Sequence, residues 1–493
     1  MKVLLVNPLF PPSYWSFHHA LAFEGKRSAF PPLGLLTVSS LLPDSWERRL
    51  VDLNVRELDD ADIAWADVVF ATAMIVQRDS LDEVVARSKA MGKRVAVGGP
   101  YVSTCDGNLP DADHIFSGEA ETTLPEFVAD LERGNPKPYY KAAEMPPMAL
   151  APVPDFGIAD LKRYSAMSIQ YSRGCPFNCE FCDIIEIYGR VPRTKSPEQV
   201  LAELDALYSS GWRGSVFIVD DNFIGNKRDV KRLLPELATW QERHGQPFEF
   251  ITEASVNLAD DDALLKGMQR AGFQRVFLGI ETPVEETLIH TQKKQNTRSC
   301  LTESVRRIQG HGMEVMGGFI VGFDTDPEDI FDRQVEFIRE SAIPLAMVGL
   351  LNALPGTQLW RRLQSAGRLL SMSSGDNTSC SLNFVPKMDA ARLIEGYKKV
   401  LRSIYNSHDY YQRALDSLSR VTSVAMPRHR SIAGGIAAFA RIAYRLGVRD
   451  ADRVEFWRYI VRVTTRHRAQ FSEALTLAAM GYHFRKLTES VTA

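Results

Sequence analysis

Cys175, Cys179 and Cys182 stand in the order Cys-x3-Cys-x2-Cys, inside the segment Gln-Tyr-Ser-Arg-Gly-Cys-Pro-Phe-Asn-Cys-Glu-Phe-Cys-Asp. Three thiolates this close make a soft-metal site, of the kind that takes an iron–sulfur cluster or zinc. A closed structural zinc site needs four ligands. No fourth cysteine lies near, and no histidine occurs between His114 and His244. Three ligands on a cube of four irons leave one iron open to bind something else, and chemistry would begin there.

The Cys-x3-Cys-x-Phe-Cys loop resembles the signature of the radical S-adenosylmethionine superfamily. That resemblance implies a [4Fe-4S] cluster whose open iron chelates S-adenosyl-L-methionine, which the reduced cluster cleaves to methionine and a 5′-deoxyadenosyl radical. Three structural cysteines that merely lie close are the other reading. The neighbourhood suits the first: an apolar, strand-like run at residues 167–171 leads into the loop, and Phe181 could wall the cluster off from water.

Composition permits such an enzyme. The 493 residues can hold two to four domains, and 45% hydrophobic with 24% charged residues is ordinary for a soluble chain. A net charge of −3 gives no sign of a nucleic-acid binder. Six cysteines, three of them clustered, make no disulfide framework, and an oxygen-sensitive cluster calls for a reducing interior. Cys105, Cys300 and Cys380 are too scattered for a second cluster and read as structural thiols. The chain begins on a strand without a signal-peptide layout and has no apolar run of transmembrane length. It is expected in the cytoplasm, at most peripheral to the inner face of the membrane.

Strands and helices alternate along residues 1–140. Strand-like runs stand at 2–7, 49–53, 67–73, 94–97 and 114–116, with helical spacing at 35–42, 81–91 and 124–131. This rhythm predicts a parallel, doubly wound (Rossmann-like) α/β sheet, whose ligands bind beyond the strand carboxyl ends. Placed directly ahead of the cysteine motif, it resembles the cobalamin-binding domain of the cobalamin-dependent branch of the superfamily. Pro31-Pro32-Leu33-Gly34-Leu35-Leu36, Gly98-Gly99-Pro100 and Ser117-Gly118-Glu119 carry that match, and it implies that Gly98, Gly99, Ser117, Gly118 and Glu119 border cobalamin, carried as methylcobalamin. The Asp-x-His-x-x-Gly motif that gives cobalt a histidine in many cobalamin enzymes is absent; His18 and His19 lack its context. Gln77 and Arg78 are candidates for the lower face of the cofactor, or else begin a solvated helix. A flavodoxin-like domain without cobalamin is the alternative for the whole section.

A proline-rich connector over residues 141–165 (Pro146, Pro147, Pro152, Pro154) leads to a second series of βα units over 166–370, expected to form a partial (β/α)6 barrel. Catalytic groups of barrels sit at strand carboxyl ends, where Asp220-Asp221, Glu253, Gly279-Ile280-Glu281, Gly318 and Gly322 fall. By resemblance Glu253, Gly279 and Glu281 contact the ribose and amino acid groups of S-adenosyl-L-methionine, and Gly318 and Gly322 bring backbone close to adenine. Each carboxylate alone reads equally as a surface or capping residue. Tyr188 and Arg190, following the cluster loop, are the substrate-side catalytic candidates.

Asp183-Ile184-Ile185-Glu186-Ile187-Tyr188-Gly189-Arg190, the segment 219–226 and Gly279-Ile280-Glu281-Thr282-Pro283 make nearly the whole chain similar to the hopanoid C-2 methylase group. The section 371–493 loses the βα rhythm and is expected to be helical. From Arg420 it holds thirteen Lys or Arg, Arg428 and Arg430 among them, against five Asp or Glu, interleaved with Phe439, Tyr444, Phe456, Trp457 and Tyr459. Such a section could lie on an anionic bilayer or form a solvated cap. The expectation is a cobalamin-dependent radical methyltransferase acting on an unactivated carbon of a small-molecule or lipid substrate, served by an external flavodoxin- or ferredoxin-type electron donor. Radical rearrangement, cyclisation or oxidation without methyl transfer, and a non-catalytic cluster-bearing sensor, are the alternatives.

Overall fold

The structure, a computed structural model, describes residues 1–105, 110–422 and 432–493. Arg428 and Arg430 of the basic C-terminal series lie outside the described residues.

Six strands, β1 (Lys2–Asn7), β2 (Glu47–Asp52), β3 (Val68–Thr72), β4 (Arg94–Gly98), β5 (His114–Ser117) and β6 (Tyr139–Lys141), form an all-parallel sheet in the order β2-β1-β3-β4-β5-β6. Successive residues of β1 serve opposite faces: Val3 and Leu5 join one core with Leu35, Phe116 and Phe127, while Leu4 and Val6 join another with Ile63 and Val84. A strand covered on both faces must be apolar in its interior, which is why Val3 to Val6 read as an unbroken hydrophobic run. The order reverses at β1/β3, so a crevice opens beyond their carboxyl ends.

The next strand, β7 (Met167–Ile169), is followed by the cysteine loop. The loop's base is closed by a two-residue antiparallel ladder of β8 (Ser172–Arg173) and β9 (Arg193–Thr194). Strands β10 (Gly214–Ile218), β11 (Phe248–Ala254), β12 (Phe273–Glu281), β13 (Glu314–Val321) and β14 (Leu345–Leu350) complete a second parallel sheet, ordered β14-β13-β12-β11-β10-β7. Helices such as Lys227–Arg243 and Asp262–Ala271 connect them, as expected of an open six-stranded barrel.

The helices Ala390–Tyr405, Ser407–Arg420, Ile432–Tyr444, Arg453–Arg466 and Phe471–Thr492 follow. They seal the edge at β14. The Tyr405 hydroxyl donates to the Ala346 carbonyl (2.6 Å) and accepts from the Ala346 amide (3.0 Å), and buried Arg413 donates to the Ile343 carbonyl (2.7 Å). An exposed strand edge invites pairing with another chain, and these side chains occupy it. Among the described residues no helix is long and apolar enough to cross a membrane.

Several elements were not legible beforehand, among them the helix His18–Glu24, the helices Asp60–Trp65, Pro100–Thr104, Ile184–Ile187, Glu285–His290 and Gln358–Ser365, strand β6 and the β8/β9 ladder. The first belongs to a strap, residues 8–32, that arches from the first sheet over the second. Buried His483 of the last helix fastens it, donating from Nε2 to the Ser13 carbonyl (3.0 Å) while its Nδ1 accepts from the His19 amide (3.3 Å). Burial pushes the His483 pKa down to about 3, so the ring stays neutral in this tautomer.

Candidate functional site

The carboxyl ends of both sheets face one cavity of about 1350 Å³, roofed by the strap. The first sheet contributes Asn7, Thr72 to Met74, Gly98 to Pro100 and Gly118 to Glu121; the barrel contributes Phe217, Asp221, Glu253, Phe277, Glu281 and Gly318. Trp15 of the strap stacks on Phe217 (centroids 5.6 Å apart, planes 9° apart) and meets Phe277 at 5.2 Å, and Phe30 packs on Phe217 at 5.2 Å. These rings give the cavity a largely apolar middle between two polar ends.

At the barrel end stands the cysteine loop. Gly174 opens it with φ +93°, where a Cβ would come within 2.9 Å of the Gly189 carbonyl oxygen, and the Cys175 amide donates to that carbonyl (3.2 Å). Asp220, at the end of β10, accepts from the Tyr171 amide (2.8 Å) and the Ser172 hydroxyl (2.6 Å) and so fixes the loop's root. The far side is held by Arg362, which donates to both oxygens of Glu180 (2.7 and 3.1 Å) and to Asp324 (2.9 Å). Burial opposes the Asp324 charge, but Arg368 and Arg362 outweigh it and pull its pKa down to about 2.

Among the described residues no three His, Cys, Asp or Glu side chains close round a single metal ion. The three thiols are the kind of donor set that an iron–sulfur cluster takes. The donor chemistry agrees. Burial pushes the thiols of Cys175 and Cys182 up, so thiolates there need a positive partner. Asn222 Nδ2 points at Cys175 Sγ (3.7 Å) and Gln295 Nε2 at Cys179 Sγ (3.5 Å), amide contacts of the kind that tune cluster sulfurs. Phe181 borders the cavity and packs on Phe323 (5.8 Å), with Lys293 Nζ 5.7 Å from its ring centroid.

Next to the loop the acidic strand ends converge. Burial, with Asp221, Asp220 and Glu281 nearby, pushes Glu253 up to about 8, and its carboxylate meets no hydrogen-bond donor among the described residues. Burial and Asp220 raise Asp221 to about 7. Glu281 has φ +66° at a register shift in β12 and pairs with buried Lys293. Burial opposes the Lys293 charge, but Glu281 overrides it and raises the pKa to about 12. A Cβ on Gly279 would fall 2.6 Å from both partners' charged atoms, so that glycine makes room for the pair.

At the other end Gly99 has φ +100°, and a Cβ there would lie 2.2 Å from Thr72 Oγ1 and 3.2 Å from the Ala73 carbonyl oxygen. Gly118 has φ +89°, and its amide donates to Ser103 Oγ (3.0 Å). These strand ends leave bare backbone facing the crevice, where a large cofactor could approach.

The sequence-derived set is thus brought together in part. Gly98, Gly99, Gly118, Glu119, Gln77, Phe181, Tyr188, Glu253, Glu281 and Gly318 border the cavity; Ser117, Gly279, Gly322 and Arg190 do not. Arg190 is exposed and turns to the Pro176 carbonyl (3.4 Å), so it faces away from Tyr188's side of the loop. Gly322 (φ +107°) serves a turn, its amide donating to Asp326 (2.8 Å), and Gly318 makes room for the Phe277 ring, 2.7 Å from where a Cβ would stand. Gln77 is spent internally: Nε2 donates to the Pro8 carbonyl (2.6 Å) and Oε1 accepts from the Met74 amide (2.9 Å). Arg78 pairs with Asp79 outside the cavity, and of the two N-terminal histidines only His18 borders it.

Glu119 differs most from expectation. Its carboxylate is gripped by Arg173 of β8 and Arg193 of β9, and Arg173 also donates to Glu121 (2.8 Å). Two carboxylates of the first sheet and two guanidiniums of the cysteine loop thereby form a buried, charge-balanced clamp between the two halves of the cavity. Trp15, Phe30, Arg173, Arg193 and Lys293 escaped sequence reasoning; none lies in a periodic pattern, and each acts on residues distant in the chain.

The sequence pattern of the Radical SAM superfamily matches residues 169–338, and that of a domain of unknown function (DUF4070) matches 357–493. The chain is 44% identical to an uncharacterised methyltransferase of Synechocystis sp., over all of this chain and 92% of that one. It is 36% identical to the hopanoid C-2 methylase of Rhodopseudomonas palustris, over 94% of this chain and 89% of that one. Its fold matches the cobalamin-dependent S-adenosylmethionine radical enzyme OxsB, solved with aqua-cobalamin and S-adenosylmethionine bound. There the TM-score is 0.62 at 17% identity, over 99% of this chain and 80% of that one.

Proposed function

From the premise that this chain belongs to the radical S-adenosylmethionine superfamily, in the group of the hopanoid C-2 methylase, we propose that it is a cobalamin-dependent radical methyltransferase acting on an unactivated carbon of an apolar small-molecule or lipid substrate. The observation that carries the reading is the single cavity between the two parallel sheets, with the three cysteines beside one end and the glycine-lined strand ends at the other. When bound, the cluster with S-adenosyl-L-methionine supplies a 5′-deoxyadenosyl radical and cobalamin supplies the methyl group.

The chain's own residues do the rest. Cys175, Cys179 and Cys182 would hold the cluster through their thiolates. Phe181 shields that end from water, and the unpartnered Glu253 carboxylate accepts from ribose hydroxyls or the amino group. Glu281 and Lys293 form a fixed ion pair that sets the floor beside it. Gly98, Gly99 and Gly118 would admit cobalamin at the strand ends. Trp15, Phe30, Phe217 and Phe277 exclude water and orient an apolar substrate between the two ends. An external flavodoxin- or ferredoxin-type protein supplies electrons, and the basic C-terminal region meets the inner face of the membrane.

The test is anaerobic turnover of reconstituted, cobalamin-loaded protein with methyl-labelled S-adenosyl-L-methionine, a reductant and a lipid extract. Label in an apolar product, with 5′-deoxyadenosine and S-adenosylhomocysteine formed together, is expected. 5′-Deoxyadenosine without S-adenosylhomocysteine would overturn methyl transfer and leave a radical reaction of another outcome.

A further inference from the structure

The helix Arg453–Arg466 has two apolar faces. Phe456, Tyr459, Ile460 and Val463 are buried and point into the common core. At 100° per residue Val454, Trp457 and Val461 fall within an arc of about 60° on the other side. They are 54%, 41% and 59% exposed, and Val448, in the preceding π-helical turn, is 59% exposed. Single exposed apolar residues are ordinary, but a second apolar stripe on a helix whose core stripe is already buried needs a partner. Two of the aromatics expected on a membrane face, Phe456 and Tyr459, belong to the core stripe instead.

Charge selects the partner. The acidic residues here have partners within the fold: Asp450 and Asp452 share Arg485, and Glu455 pairs with Arg458. Arg449, Arg453, Arg466 and Arg468 are exposed and have no ion pair among the described residues. The result is an apolar stripe beside cations left without counter-charges. The neighbouring helix Ile432–Tyr444 packs on His18–Glu24, with Arg441 donating to the Phe23 carbonyl (3.0 Å), and His18 and Leu21 border the cavity.

We propose that Val448, Val454, Trp457 and Val461, with Arg449 and Arg453, form a docking face for an anionic lipid surface. The aliphatic groups and the indole enter the headgroup boundary while the guanidiniums hold lipid phosphates. This rests on the membrane contact of the reading above and gives it a surface.

The test is flotation of the full chain with vesicles of phosphatidylcholine alone and of phosphatidylcholine containing phosphatidylglycerol. The protein is expected to float with the anionic vesicles and much less with the neutral ones, and to be released by salt. One arginine near an anionic surface is worth about fivefold in partitioning, so R449E/R453E should bind more than about tenfold more weakly. V454D/V461D should lose binding to a similar extent, V454L/V461L should keep it, and all three should melt with the parent because the changed side chains are about half exposed or more. Equal flotation on both vesicles, none on either, or flotation unchanged in both R449E/R453E and V454D/V461D would overturn the proposal. So would a concentration-dependent dimer that V454D/V461D abolishes, since a second copy would then cover the face. The assay involves no turnover, so its failure and the failure of methyl transfer are separate results.

Discussion

Replacing Glu119 should loosen the cysteine loop from the first sheet, and the structure sets the size of the effect. The Glu119 side chain is 5% exposed, and those of Arg173 and Arg193 are 11% and 16% exposed, so water cannot take over their contacts. In Glu119→Ala, Arg173 keeps Glu121 (2.8 Å) and Gln170 (2.8 Å), but Arg193 loses its one carboxylate and retains the Pro146 and Tyr188 carbonyls. One uncompensated guanidinium near the centre of the protein costs about 3–5 kcal/mol. For a cooperative unit of barrel size that lowers the melting temperature by roughly 6–20 °C, taking 2–4 °C per kcal/mol. Thermal melts of Glu119→Ala, Arg193→Gln and the double variant form the assay. Once Glu119 is gone, removing Arg193 should cost much less than it does in the parent. Additive losses, or a Glu119→Ala protein that melts with the parent, would refute the clamp as an energetic link.

Replacing Cys175, Cys179 or Cys182 with alanine should abolish cluster assembly at little cost to the fold; iron and sulfide analysis after anaerobic reconstitution, with a far-ultraviolet spectrum, checks both halves. Gly99→Ala forces φ +100° on a residue with a Cβ placed 2.2 Å from Thr72 Oγ1, a cost of about 1–3 kcal/mol, and should weaken cobalamin retention, read by absorbance after gel filtration. Glu253, raised from the usual 4.5 to about 8, binds its proton more tightly folded than unfolded. Its favourable contribution is complete below about 4.5 and is lost as pH rises through 8. Cofactor-free protein should therefore melt lower at pH 8 than at pH 6, and Glu253→Gln should flatten that slope, as a pH series of melts would show.

The fold was legible where burial imposes a period. Val3 to Val6 and Leu345–Leu350 are apolar because helices or side chains cover them, and each expected helix in the first sheet lies within a few residues of its place. The same logic separates Phe456 and Tyr459 from Val454 and Trp457 once the helical phase is drawn, a step that counting charges and aromatics along the chain misses. The cysteines were readable because their spacing is a local pattern within eight residues. The partners that position them were not. Glu119 meets Arg193 across 74 residues and Glu180 meets Arg362 across 182, and no local pattern records such pairs. Tyr188 and Arg190 sit in one motif, yet a turn at Gly189 (φ +79°) sends one to the cavity and the other to solvent. The strap was missed because it is irregular: proline-rich, with one short 3-10 turn and Phe17 at φ +46°.

In the proposed arrangement one cavity holds both cofactors facing each other. Pulsed electron paramagnetic resonance tests it most directly, on anaerobic protein carrying a reduced cluster and cob(II)alamin in equal amounts. Magnetic coupling between the two spins, absent in the Cys179→Ala protein, is the predicted result. A protein that assembles the cluster but retains no cobalamin, or holds cobalamin without coupling to the cluster, would contradict it.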